Sequence, residues 1–349
     1  MQRQRRLAQV VSLVVIGACA SASPVHAQNC PELIGQLPGS AIYVAVSGNY
    51  AYLVGEDQQM VVADVSDPST PWVVGQMVLP DPPEGIAIWG SHAYVAHADG
   101  LSVIDIGVPS APVQVGYLDT PDYALDVAAA DGYAYVAYGD PTLTEGGLRV
   151  IDVSTPSAPF EVGFAATPAP AFNLTVSRGY AFITHPGGPL AGLSIIDVST
   201  PSAPVAVGFW NAPGVAWDVA VSGGYAYVVG IDDLRVIDVT TPSNPVEVGS
   251  ANIPSLSWGI AVSTGIAYVA WADDFSAPAG LRAFDVIWPS APVEVGSYDT
   301  PGEQLDVTVA DGHVFLTSDG AGLYIFEGCG LFADDFESGD TSAWSATVP

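Results

Sequence analysis

LRVIDVSTPSAPFEVG (148–163) returns along the chain as LSVIDIGVPSAPVQVG (101–116), LSIIDVSTPSAPVAVG (193–208), LRVIDVTTPSNPVEVG (234–249) and LRAFDVIWPSAPVEVG (281–296). A drifted copy, MVVADVSDPSTPWVVG, occupies 60–75, and a truncated one, LYIFEG, closes the series at 323–328. An acid marks the register of each copy: Asp64, Asp105, Asp152, Asp197, Asp238, Asp285 and Glu327, at intervals of 41 to 47 residues. These seven define repeats 1 to 7. A second phrase precedes each copy, as in DVAVSGGYAYVVG (218–230). Self-similarity at this period is the signature of a repeat architecture.

Each period carries four short strands. In repeat 5 they read 217–222, 225–230, 234–239 and 246–251, rich in Val, Ile, Tyr and Ala, with Gly, Pro, Ser or Asp at every break. Ser-Gly-Gly (222–224) and Ala-Asp-Gly (130–132, 310–312) are hairpin turns, because Gly and Asp tolerate positive φ. The Thr-Pro-Ser-Ala-Pro segments interrupt the ladder, since Pro has no N–H to donate. Strands such as Tyr-Val-Val-Gly do not alternate cleanly and are apolar on both faces. Such a unit cannot bury itself alone, so the expected fold is all-β: a seven-bladed β-propeller of four-stranded blades. Repeat 7 lacks the Pro-Ser-Ala-Pro-Val strand. Pro31–Gly39 aligns with 292–302 and supplies it, so the N-terminal strand is expected to complete the last blade. Cys30 precedes that strand and Cys329 follows its neighbour, which predicts a Cys30–Cys329 disulfide.

The LRVIDVSTPSAPVEVG-type and GGYAYVA-type phrases resemble the LVIVD repeats of bacterial and archaeal secreted or surface proteins, over about residues 31–328. The resemblance implies a propeller outside the cytoplasm. It implies no reaction and no catalytic residue.

Three segments are expected: a signal peptide (1–27), the propeller (28–330) and an acidic tail (331–349). Arg3, Arg5 and Arg6 precede an apolar run, Val10 to Ala20, too short to span a bilayer, and Val25-His-Ala27 offers a cleavage site. Ile16-Gly-Ala-Cys19 also resembles a lipobox, so lipidation of Cys19 stands as an alternative to cleavage after Ala27. The tail is read either as a sorting segment or as a disordered end.

The full chain has 7 Lys and Arg against 37 Asp and Glu, a net charge of −30. Cleavage after Ala27 would remove three Arg and no acid, leaving four Arg and −33. That field repels nucleic acid and anionic membranes and suits divalent cations or basic partners. It also keeps an exported β-protein soluble and monomeric.

On a propeller, the loops after the second and fourth strands share one face. Here the loops after the second strand vary most, as at 139–147, 185–192 and 271–280, while the opposite face has uniform Gly turns. Three rings of equivalent positions follow. Asp126, Asn173, Asp218 and Asp306 open innermost strands, where carboxylates would either hold Ca²⁺ or bond backbone N–H groups. His97, Tyr138, His185 and Trp271 end second strands, forming either a rim for sugar or peptide or a layer of loop packing. Arg149, Arg235 and Arg282 open third strands, to receive an anion or to pair with nearby acids. The register Asp is expected to brace the turn that follows it. No cofactor, metal-ligand or nucleophile motif occurs. The reading is a non-catalytic binding or scaffold protein whose loop face meets a protein, peptide or glycan. The alternative is a secreted hydrolase of polysaccharide or ester, using the channel-mouth carboxylates, with Ca²⁺ as its cation.

Overall fold

The computed structural model describes residues 30–120, 123–139, 146–272 and 279–329. The signal peptide, the lipobox with Cys19, the tail, and parts of the 139–147 and 271–280 loops lie outside the described residues.

The chain is all-β, with one short 3₁₀ turn at Gly188–Leu190 among the described residues. Repeats 1 to 4 each form a four-stranded antiparallel sheet, with strands in sequence order. Repeats 5 and 6 share a seven-stranded sheet, because Val246–Ser263 runs on as the outer strand of one and the inner strand of the next. In repeat 7 the order places Glu32–Leu37 beside Gly322–Glu327, with Glu32 opposite Glu327 and Leu37 opposite Leu323. Cys30 and Cys329 are joined by a disulfide, their Cα atoms 5.3 Å apart.

The hairpins have the turn chemistry read from the sequence. Asp131–Gly132 (φ 53° and 84°) and Asp311–Gly312 (φ 49° and 79°) carry two consecutive positive φ angles, as a tight turn matched to strand twist requires. Each register Asp braces the next turn: Oδ1 of Asp64, Asp105, Asp152, Asp197, Asp238 and Asp285 accepts a backbone N–H two residues on, at 2.8–2.9 Å. Glu327, one methylene longer, has no such bond among the described residues.

The core is a series of layers between sheets. Tyr52, Val54 and Val62 of repeat 1 pack on Ala93, Val95 and Ile104 of repeat 2. On the other side of repeat 1, Leu53 and Ala63 pack on Phe315, Leu323 and Ile325 of repeat 7. Successive residues of a strand therefore face different neighbours, which is why the strands are apolar on both faces.

A clasp on the outer strands joins neighbouring repeats. In the outer strands that pair with register-Asp strands, a bulge falls just before the Val-Gly glycine. That glycine receives the Pro turn of the next repeat. A Cβ on Gly75, Gly116, Gly163 or Gly208 would overlap the carbonyl oxygen of Pro109, Pro156, Pro201 or Pro242. Gly249 meets Pro289 likewise, Gly35 meets Pro68, and Gly296 meets the carbonyl of Cys30, which stands where repeat 7 lacks its Pro turn.

Candidate functional site

The innermost strands begin side by side. Asp126 Oδ2 accepts the N–H of Leu174 in the next repeat at 2.8 Å. Asp218 accepts its own neighbour Val219 and, across the gap, Ile260, both at 2.7 Å. Asp306 accepts Val307 at 2.8 Å and Val44 of repeat 1 at 2.9 Å. These carboxylates are clasps between repeats 3 and 4, 5 and 6, and 7 and 1. The equivalent residues of repeats 2 and 6 are Gly85 and Gly259, where the following Asp crowds in: a Cβ on Gly85 would lie 2.5 Å from an Asp126 carboxylate oxygen. Two threonines continue the joinery. The Thr184 hydroxyl donates to Trp217 O at 2.9 Å and the Thr317 hydroxyl to Ile42 O at 2.6 Å.

Burial pushes all three carboxyls up. Asp126 stands well above the usual carboxylate range, Asp218 reaches about 7 and Asp306 about 6. The N–H donors oppose the shift, and repulsion from Asp306 adds to it at Asp126 and Asp218. Asp126, Asp218 and Asp306 are instead engaged with backbone N–H groups. Among the described residues, no three His, Cys, Asp or Glu are grouped to hold an ion.

The second and third rings turn out to be one set of pairs. His97 and His185 are fully buried, which at these two positions favours loop packing over a rim open to a ligand. His185 Nδ1 meets Pro170 O at 2.8 Å and Nε2 meets Ser194 Oγ at 2.7 Å. His97 repeats this with Asp81 O at 3.1 Å and Ser102 Oγ at 2.9 Å. A carbonyl only accepts, so Nδ1 carries the proton and Nε2 accepts from the serine. Burial holds both imidazoles below the usual histidine range, neutral at pH 7. They tie the loop entering the inner strand to the third strand. In repeats 3 and 6 an aromatic–arginine pair occupies the same place: the guanidinium of Arg149 lies 4.6 Å from the Tyr138 ring centre, and that of Arg282 4.5 Å from Trp271. The arginines also pair with carboxylates, Arg149 with Glu161 at 2.7 Å, Arg282 with Glu294 at 2.8 Å, and Arg235 with Asp233 and Glu247 at 2.6 and 2.8 Å. The sequence carried a signal for this pairing: His goes with Gly-Leu-Ser (100–102, 192–194), and Tyr or Trp with Gly-Leu-Arg (147–149, 280–282).

One position was missed by sequence reasoning. The residue just before each inner-strand opener is Ile42, Glu84, Leu125, Phe172, Trp217, Trp258 or Leu305. Six of these seven, with some of the openers, line a cavity of about 170 Å³ to which every repeat contributes. Its carboxylates are Glu84, Asp218 and Asp306, and its aromatics Tyr43, Phe172 and Trp258. The Trp217 ring sits 5.2 Å from Phe172 and 5.1 Å from Trp258, making a three-ring wall. On the opposite side the cavity shares Glu84, Tyr43 and Leu305 with a wider mouth of about 510 Å³, rimmed by Glu56, Glu303 and Asp319. The signal was positional variation: aligned by repeat, this column changes between aliphatic, acidic and aromatic residues.

Stacked four-stranded sheets around a shared central cavity define a β-propeller, and solved structures agree. The chain superposes on the β-propeller domain of Myceliophteria thermophila Cps50 with a TM-score of 0.68 at 11% identity, covering 86% of this chain and 100% of that one. It superposes on Kuenenia stuttgartiensis hydrazine synthase with a TM-score of 0.68 at 14% identity (85% and 97%). A protein of unknown function from Desulfotomaculum acetoxidans gives 0.63 at 13% (83% and 90%). At such identities the likeness speaks for the fold alone. The LVIVD repeat profile matches residues 38–78, 84–120, 121–167, 170–211, 213–253 and 256–300, and the chain belongs to the LVIVD repeat family. No curated protein sequence matches it. No helix among the described residues is long and apolar enough to cross a membrane.

Proposed function

We propose that the chain is a binding and scaffold propeller of seven blades closed into a ring, acting outside the cytoplasm and meeting a protein, peptide or glycan on the face that carries the channel mouth. The observation that carries this reading is the variable column. Six equivalent positions hold aliphatic, acidic and aromatic side chains around one cavity, while the glycine clasp of the outer strands repeats. Variation over a uniform scaffold is how a repeat protein presents a binding surface. Closure is supported by the clasps that pass from repeat to repeat and from repeat 7 back to repeat 1, through Gly35 with Pro68 and Asp306 with Val44. Export is supported by the first 27 residues and by the disulfide, which suits an oxidising compartment. Both oxygens of Asp218 and of Asp306 are occupied by backbone N–H groups, which favours binding over hydrolysis by these acids.

The test is binding of purified residues 28–349 to glycan and peptide arrays beside Phe172→Ala and Trp258→Ala variants. Ligand signals lost in both variants, with unchanged unfolding midpoints, are expected. Signals indifferent to both would overturn the reading.

A further inference from the structure

We propose that the channel cavity receives an alkylammonium group, presented by a lysine side chain or a free diamine. The inference rests on the binding reading and names its ligand chemistry. The cavity lining includes Glu84, Asp218 and Asp306 and no Lys, Arg or His. Asp218 and Asp306 are held by backbone donors, but Glu84 has neither hydrogen bond nor ion pair among the described residues, and burial raises its carboxyl. A half-buried carboxylate without a partner is costly, and an arriving cation would relieve that cost. Among the described residues no cation lines the cavity: Arg149, Arg235 and Arg282 are paired on third strands and Arg178 lies in a hairpin turn.

The other wall fixes the kind of cation. Phe172, Trp258 and Tyr43 line the cavity, and the Trp217 ring bridges Phe172 and Trp258. Aromatic faces attract an organic ammonium but offer no ligand to a hard metal ion, which needs six or more oxygens. Ile42, Leu125 and Leu305 supply an apolar surface for a methylene stem. A cavity of about 170 Å³ has room for an ammonium head and a few methylenes. The acidic mouth, Glu56, Glu303 and Asp319, would draw cations in and raise the association rate.

The experiment titrates residues 28–349 with 1,5-diaminopentane, with the peptide acetyl-Gly-Lys-Gly-amide, and with 1,5-pentanediol as the uncharged counterpart, read by tryptophan fluorescence and calorimetry. Saturable binding of at least one ammonium probe is expected, with the diol at least ~10-fold weaker. Glu84→Gln, which keeps shape and removes charge, should weaken the ammonium probe by about tenfold, and Trp258→Leu by a similar factor, with no fall in the unfolding midpoint of Glu84→Gln. The tighter of the two ammonium probes distinguishes a protein partner from a free amine. Equal affinity for diol and diamine, no saturable response to either ammonium, or full affinity in Glu84→Gln would each overturn the inference. If array ligands still depend on Phe172 and Trp258 in that event, the broader binding reading survives; if they do not, both fall together.

Discussion

The outer strands and the channel mouth solve opposite problems with the same repeat. On the outside, one glycine and one Pro turn recur with little change, and a braced Asp recurs in six repeats. At the cavity, six equivalent residues carry aliphatic, acidic and aromatic groups. The outer contact is the same geometric event each time, a carbonyl seated where no Cβ fits, so it tolerates one residue. The inner position touches a shared space whose chemistry depends on all six together. Repetition marks the outer joinery in this molecule, and the varied column around the cavity is the one proposed to bind.

That contrast breaks most violently at the outer clasp. Gly163→Val should cost more than about 3 kcal/mol, because the added atoms meet the Pro201 backbone, which cannot move without shifting the next sheet. A fall in denaturant midpoint that small, or smaller, than a surface substitution gives would show the clasp to be slack. Next comes the joint at the ends: replacing Cys30 and Cys329 by Ala should lower stability by about 2–4 kcal/mol, read as a lower midpoint that reductant no longer changes. His185→Ala removes both imidazole bonds and strands Ser194 Oγ and Pro170 O, a loss of about 2 kcal/mol. Ammonium binding at the cavity should change far less than in Glu84→Gln.

Acid separates the two regions by sign. Asp218 and Asp306 have folded values above the ordinary carboxylate value, so the folded state holds their protons more tightly. Their contribution is fully present below about pH 4 and is lost as pH rises through about 6 and 7. The outer Asp64, Asp197 and Asp238 are lowered by their hydrogen bonds to Ser66, Ser199 and Thr240, so their contribution is present above the ordinary value and lost as pH falls. Asp218→Asn should therefore shrink the stability change between pH 4 and 7, while Asp197→Asn should leave that window unaltered and soften the loss at lower pH. The smallest effect is expected from Asp105→Ala on the surface. It loses one N–H acceptor at 2.8 Å and should shift the midpoint least of all.

What the sequence determined by itself was everything governed by local chemistry and period. The repeat fixed the strand register, the Gly and Asp positions fixed the hairpins, the register Asp announced its own turn brace two residues on, and the missing strand of repeat 7 pointed to Pro31–Gly39 and to the cysteines beside it. What only the tertiary structure decided were contacts between repeats, roughly forty residues apart in sequence and adjacent in space. Which N–H an inner Asp would accept, whether His97 and His185 faced water or the interior, and that Glu84, Phe172 and Trp258 share a cavity all depend on how each twisted sheet is turned against the next. A one-dimensional pattern records which residues are equivalent; it does not record the angle at which equivalents converge.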